Sequence, residues 1–246
     1  MRSSVSSRHS NNSQNSRLMT LIRAIASRDM PGALRLLDAS PELSQQTVAI
    51  GATRQVSSDY YFKEIEHYVY GGDTALHIAA AAYAVDISKE LLGKGANVRA
   101  RNRRGAEALH YAVDGIPDSP GWNPAAQETV IQSLIEAGAD PNSPDKSGVA
   151  PLHRAVRTRC AAAVRGLLVN GAGERLPNGN GSTPLHLAVQ NTGRGGSGSS
   201  AAREQQREII LLLLKHGARP TDRDSCGKTV LESVLEDWVR EVLKTL

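Results

Sequence analysis

Gly72-Asp73-Thr74-Ala75-Leu76-His77-Ile78-Ala79 opens a pattern that the chain then repeats three times. Ala108-Leu109-His110, Pro151-Leu152-His153 and Pro184-Leu185-His186 carry the same core, at His-to-His steps of 33, 43 and 33 residues. A helical apolar stripe follows the first motif, built from Val85, Ile87, Leu91 and Leu92. Each unit then stops at a glycine: Gly95-Ala96, Gly138-Ala139, Gly171-Ala172 and Gly217-Ala218. Thr74 and Thr183 supply helix caps, and Pro151 and Pro184 sit just inside a helix start, where a missing N–H costs nothing. The glycines provide left-handed helix stops. A fixed period near 33 residues marks a solenoid, in which each unit buries its apolar face only by stacking on its neighbours.

The four units resemble the ankyrin repeat family, whose pattern reads Gly-x-Thr-Pro-Leu-His-x-Ala, then a leucine pair, then Gly-Ala-Asp-x-Asn. The resemblance covers Gly72 to Leu246. It implies an all-α repeat solenoid of stacked antiparallel helix pairs joined by β-hairpin fingers, with about five to six repeats. The expected division is a disordered Ser/Asn/Arg-rich tail over 1–16 and a repeat domain over 17–246. Within it, 17–71 forms a divergent N-terminal helix pair plus a long finger. Residues 72–104, 105–147, 148–180 and 181–226 are repeats, and 227–246 is a C-terminal cap. Lys228-Thr229-Val230-Leu231-Glu232 occupies the place of a fifth motif, with Glu for His. The polar last helix suits the wet outer face that a terminal repeat needs.

Composition narrows the function classes. The longest apolar run, Ile209 to Leu214, falls far short of the ~20 residues of a membrane span. Net charge is +4, a mild excess, and no nucleic-acid recognition motif is present, so neither membrane nor nucleic acid is an expected partner. Cys160 and Cys226 lie two repeats apart at different places in the repeat, which argues against a disulfide and fits a reducing, cytoplasmic setting. The tail holds seven Ser in its first 17 residues and no acid before Asp29, which leaves secretion or organelle targeting open as an alternative. No catalytic motif occurs: there is no Gly-x-Ser-x-Gly, His-Glu-x-x-His or Cys-x-x-Cys. Neither an enzyme nor a cofactor is expected.

Units two and four are long, 43 residues from Gly105 to Gly148 and 46 from Gly181 to Gly227. The excess falls between the two helices of each, at 115–124 and 193–200, so both inserts emerge on one edge, and whether they are ordered is left open. Trp122 in the first insert is either an exposed anchor or a lid on the neighbouring helices. Gly193, Arg194, Gly195 and Gly196 begin a match to G-x-G-x-x-G, but a helix precedes them, which excludes a dinucleotide fold. A possible anion site at the following helix start remains. The stretch 41–71 is too long for an ordinary finger and holds five of the nine aromatics. These read either as packed on the first repeat or as an aromatic wall over a concave groove.

His77, His110, His153 and His186 stack about 10 Å apart, too far to share a metal. In ankyrin repeats this His braces the finger by hydrogen bonds, so all four are expected to be structural. Arg99, Arg101, Arg103 and Arg104 crowd one finger without an intervening acid and are expected to point into solvent. With Tyr83, Tyr111, Asp114, Arg157 and Gln190 on the inner helices, Tyr60 and Tyr61 in the long finger and Trp122, they make a candidate partner surface rich in Tyr and Arg. The expectation is a non-catalytic protein–protein interaction module that favours an acidic partner on its concave and finger surface. The alternatives are a small-anion or nucleotide-binding sensor, and a secreted effector that grips a host protein. The oligomeric state is not legible.

Overall fold

The computed structural model describes residues 3–117, 119, 121–190 and 199–245, and side chains from residue 15 onward. Six helix units stack in order. The first pairs α1 (Ser3–Ala26) with α2 (Met30–Ala39). A long connection follows and contains a two-stranded antiparallel hairpin, β1 (Tyr61–Phe62) and β2 (His67–Tyr68), with Tyr61 opposite Tyr68 and Phe62 opposite His67. Four helix pairs come next: α3 (Ala75–Ala81) with α4 (Val85–Gly93), α5 (Ala108–Ala112) with α6 (Pro124–Glu136), α7 (Pro151–Arg157) with α8 (Ala161–Val169), and α9 (Pro184–Ala188) with α10 (Ser200–Lys215). A 3-10 turn at Leu231–Ser233 and α11 (Asp237–Leu243) close the stack. The short helices α3, α5, α7 and α9 form an inner row continuing α1, and α4, α6, α8 and α10 form an outer row continuing α2.

The apolar stripes meet between the rows. Leu18, Leu21, Ile22 and Ile25 of α1 are fully buried, as are Leu76, Leu109, Leu167, Leu185 and Leu213 further along. Alanine lines the inner row at Ala79, Ala80, Ala112 and Ala155, which lets neighbouring helices approach closely. One continuous core results. Each unit adds apolar burial only through its neighbour, as the repeat period requires.

The fingers close by a device legible in retrospect. Asn102, Asp145, Asn178 and Asp224 each lie three residues before a glycine, and the Oδ1 atom of each accepts backbone N–H bonds from residues two and four further on. The glycine then takes positive φ, 79° at Gly105 and 71° at Gly148. Fingers also bond to one another, Arg103 N–H to Gly71 O and Lys146 N–H to Arg104 O.

Helix α1 runs from Ser3 to Ala26, so its backbone continues from the apolar residues 18–25 back across most of the Ser/Asn/Arg-rich segment 1–16. The cap motif forms only a 3-10 turn in place of an inner helix. There Glu232 accepts the Thr229 N–H at 2.6 Å, the role that His plays elsewhere, and this bond lowers its pKa.

Candidate binding groove

The inner row, the hairpin and the first insert enclose an open groove of about 1410 Å³. Its floor carries Tyr83, Tyr111, Asp114, Arg154, Arg157, Leu187 and Gln190. The hairpin turn from Lys63 to Tyr68 closes the end near the N-terminus, and the first insert, at Ile116, Pro117 and Trp122, adjoins it.

The periodic histidines hold the floor in place. Each Nδ1 accepts the N–H of the residue three positions earlier: Thr74, Glu107, Ala150 and Thr183. Each Nε2 reaches a carbonyl of the next finger: Ala106, Val149, Leu176 and Lys228, at 2.9–3.2 Å. The pattern requires the neutral Nε2–H tautomer, since Nδ1 must accept. Burial lowers the pKa of His153, and burial together with the Arg154 guanidinium pushes His110 down to about 4.

The floor differs from the expected surface at Tyr111. Its side chain is 1% exposed, and its hydroxyl donates to the buried Asp73 carboxylate at 2.8 Å while accepting from Asn102 Nδ2 at 2.9 Å. Burial, then the Asp73 charge, raises its pKa well above the ordinary value. The His67 ring covers it, with centroids 4.1 Å apart. Tyr111 is therefore a core residue beneath the hairpin and is closed to a partner.

Above it lies a charged clasp. Arg154 meets Asp114 with both its Nε and Nη2, and His67 Nε2 stands 3.3 Å from the same carboxylate. Burial alone would raise the Asp114 pKa, but Arg154 and His67 outweigh it and hold the carboxyl below the usual range. Asp114 is thus committed within the chain. His67 carries no motif in the sequence, and Arg154 reads there only as one of three basic residues of the third unit, with Arg157 and Arg159. His67 and Arg154 are joined through Asp114 across three units, and no local pattern reports that contact.

The four finger arginines are exposed, yet each is also tethered to a neighbouring unit. Arg103 bonds to Ala52 O, and Arg104 bonds to the Tyr70 hydroxyl at 3.0 Å with its guanidinium over the ring. Arg99 reaches forward to Gly138 O at 2.8 Å. Arg101 pairs with Glu107, whose side chain is nearly fully buried, and bonds to Ser143. The basic finger is therefore a bracket between units as much as a solvent-facing charge.

The remaining candidates divide. Tyr60 is half-buried against the core, whereas Tyr61 is 41% exposed and Tyr68, stacked on it at 4.8 Å, is 37% exposed. Trp122 folds back, donating its indole N–H to Gln127 Oε1 at 2.9 Å. Arg157 and Gln190 stay exposed on the groove floor. Gly193, Arg194, Gly195 and Gly196 lie outside the described residues. The helix beyond them starts at Ser200 under a Ser199 cap.

Both long units share a feature that sequence reading missed. Their inner helices α5 and α9 have five residues, against seven in α3 and α7. A buried glutamine replaces the missing turn: Gln127 donates to Ala112 O at 2.9 Å and Gln206 to Ala188 O at 2.8 Å. A glutamine on an outer helix that follows a long insert is the signal that could have found it. Cys160 donates to Gln127 Oε1 at 3.0 Å, and burial pushes its thiol pKa up to about 11. Among the described residues no cluster is placed to hold a metal ion, and no helix is long and apolar enough to cross a membrane.

Stacked helix pairs, Asx-closed fingers and histidine braces define a repeat-built binding scaffold. Comparison with known proteins places it: family models for ankyrin repeats match residues 123–224, in three copies, and 71–103. The chain belongs to the ankyrin repeat family. It is 32% identical over 114 residues to an ankyrin repeat protein of Acanthamoeba polyphaga mimivirus, covering 43% of this chain and 14% of that protein. It is 35% identical over 95 residues to the ankyrin repeat and SOCS box protein 16 of Mus musculus, covering 39% and 20%. It is 37% identical over 99 residues to the E3 ubiquitin-protein ligase KEG of Arabidopsis thaliana, covering 38% and 5%. The chain thus spans a fifth or less of the length of these relatives.

Proposed function

We propose that this chain is a non-catalytic protein-interaction module whose partner docks in the concave groove and presents an acidic surface to it. Ankyrin repeats generally mediate protein–protein contacts, and their repeats supply scaffolding rather than chemistry. The observation that carries the reading is the groove itself. It is open, about 1410 Å³, and lined by tyrosine and arginine with an exposed aromatic hairpin at one end. Six basic side chains line it against four carboxylates. Two of those carboxylates are already engaged, Asp114 by Arg154 and Asp145 by backbone N–H groups of its own finger. The lining as a whole is basic by two groups, six against four, and that excess favours an incoming negative charge.

The test is capture from a lysate of the source cell, read by mass spectrometry, with the full chain beside a Tyr68→Ala/Arg157→Glu variant. Proteins retained by the first and lost by the second, more so at low salt, support the reading. Identical capture by both would remove the groove from consideration. The small-anion alternative rests on the basic face together with Gly193 to Gly196, which lie outside the described residues. A cytoplasmic location accompanies the proposal. The secreted-effector alternative is decided by fusing residues 1–17 to a reporter and assaying export.

A further inference from the structure

Among the described residues, four that are not glycine adopt positive φ: Arg28 at 62°, Glu66 at 50°, Tyr83 at 53° and Arg159 at 56°. All four line the groove. The left-handed region crowds Cβ against the backbone, so a large side chain stays there only when its surroundings compensate. Three of the four close the turn from an inner to an outer helix, Arg28 after α1, Tyr83 after α3 and Arg159 after α7. Glycine would sit there without strain.

The contacts made by these side chains account for their presence. Tyr83 donates its hydroxyl to Asp114 O at 2.8 Å, and Arg28 donates Nη2 to Gly121 O at 2.8 Å. The two bonds hold the first insert at its two ends, from two different earlier units. Arg159 donates to Gln206 Oε1 and, at 3.4 Å, to Gln190 O. Opposite ends of the insert are thus tied down while Ile116 between them stays 52% exposed. An exposed apolar side chain on a braced loop is positioned for contact.

Elimination locates the charge that a partner meets. Of the basic groups in the groove, Arg28 is bonded to Gly121, Arg104 to Tyr70, Arg154 to Asp114 and Arg159 to Gln206. Lys63 likewise has no hydrogen-bond or ion-pair partner among the described residues, but it stands on an exposed turn that also carries Glu64 and Glu66, whose charges offset its own. Arg157, exposed on the floor between Arg154 and Arg159, has no hydrogen-bond or ion-pair partner among the described residues. An uncommitted guanidinium flanked by two others favours a forked bond from an incoming carboxylate.

We infer that the first insert is a pre-set lip of the groove, and that an extended acidic segment of a partner protein lies against it, an apolar side chain on Ile116 and a carboxylate on Arg157. This rests on the protein-binding reading above. Arg28 and Tyr83 act as positioning residues for the lip.

The test is selection of a random dodecapeptide phage library on the full chain. Enriched peptides are then synthesised and their affinities measured by fluorescence anisotropy. Acidic sequences with an apolar residue are expected. Arg157→Gln is expected to weaken them ~10-fold or more, with Arg157→Lys recovering part. Tyr83→Phe, which removes only the hydroxyl that holds the lip, is expected to weaken binding ~3–10-fold while the chain still unfolds in one cooperative melt. A consensus without acidic residues overturns the inference, as do acidic peptides indifferent to Arg157→Gln. Failure to enrich any peptide overturns it too. In that case, groove-dependent capture of proteins from the lysate would still uphold the broader reading.

Discussion

Replacing His110 by glutamine should flatten the acid sensitivity of the fold, and the size of the change follows from the groove floor. His110 is fully buried, accepts the Glu107 N–H at Nδ1 and donates from Nε2 to Val149 O. Protonation would put an N–H against the Glu107 N–H and a second cation near Arg154. Burial first, and Arg154 next, therefore lower its pKa from 6.5 to about 4. Because the folded value is the lower one, the unfolded chain takes up the proton first as pH falls. The stability held by neutral His110 is complete above pH 6.5 and is lost as pH falls toward 4. At about 1.4 kcal/mol per pH unit, the loss between about pH 7.5 and pH 5 is ~2 kcal/mol from this group alone, before most carboxylates titrate. Glutamine can still accept at Oε1 and donate from Nε2 but cannot be charged. Urea unfolding followed by far-UV circular dichroism at the two pH values measures the difference. His153 contributes in the same direction in both proteins and cancels. If His110→Gln loses as much stability on acidification as the parent chain, within ~0.5 kcal/mol, the assigned tautomer and environment are wrong.

Three further outcomes test other parts of the scaffold. Arg101→Gln should destabilise by ~1–3 kcal/mol in thermal melts, because it strips the cation from a Glu107 that is 2% exposed and already has Oε2 without a partner. Gln206→Ala should cost a similar ~1–3 kcal/mol by leaving Ala188 O without its donor, and an unchanged melt would refute the role given to this glutamine. Gly105→Ala and Gly93→Ala should have opposite signs. The first has φ 79° and a Cβ that would stand 2.8 Å from Lys146 N, and should lose ~1–3 kcal/mol. The second ends α4 with nothing within 4 Å and should gain ~0.5–1 kcal/mol.

The residue after each periodic His shows where local pattern stops being informative. Ile78, Tyr111, Arg154 and Leu187 share one register position on the inner row. Ile78 and Tyr111 are fully buried, whereas Arg154 and Leu187 are only partly covered. Nothing in the repeat distinguishes them. What buries Tyr111 is His67 of the hairpin, which also reaches Asp114, 47 residues further along the chain. The same limit explains why Arg154 reads in the sequence only as one more basic residue of its unit and not as the partner of Asp114. Arg154 reaches back one unit to Asp114, and contact between units is invisible to a pattern that describes one unit at a time.

By itself the sequence determined the repeat architecture, the glycine stops of the repeats and the bracing histidines. These follow from spacing and from turn chemistry acting within a few residues, and stacking repeats them faithfully. Only the tertiary structure decided which polar groups remain available. Asp114 and Tyr111 are engaged by neighbours brought in by stacking and by the long hairpin segment, while the exposed finger arginines are each tethered to a neighbour and keep their charge. Arg157 is left uncommitted on the groove floor. A charged side chain looks the same in sequence whether or not a partner from another unit has neutralised it, and that pairing is fixed by three-dimensional proximity alone.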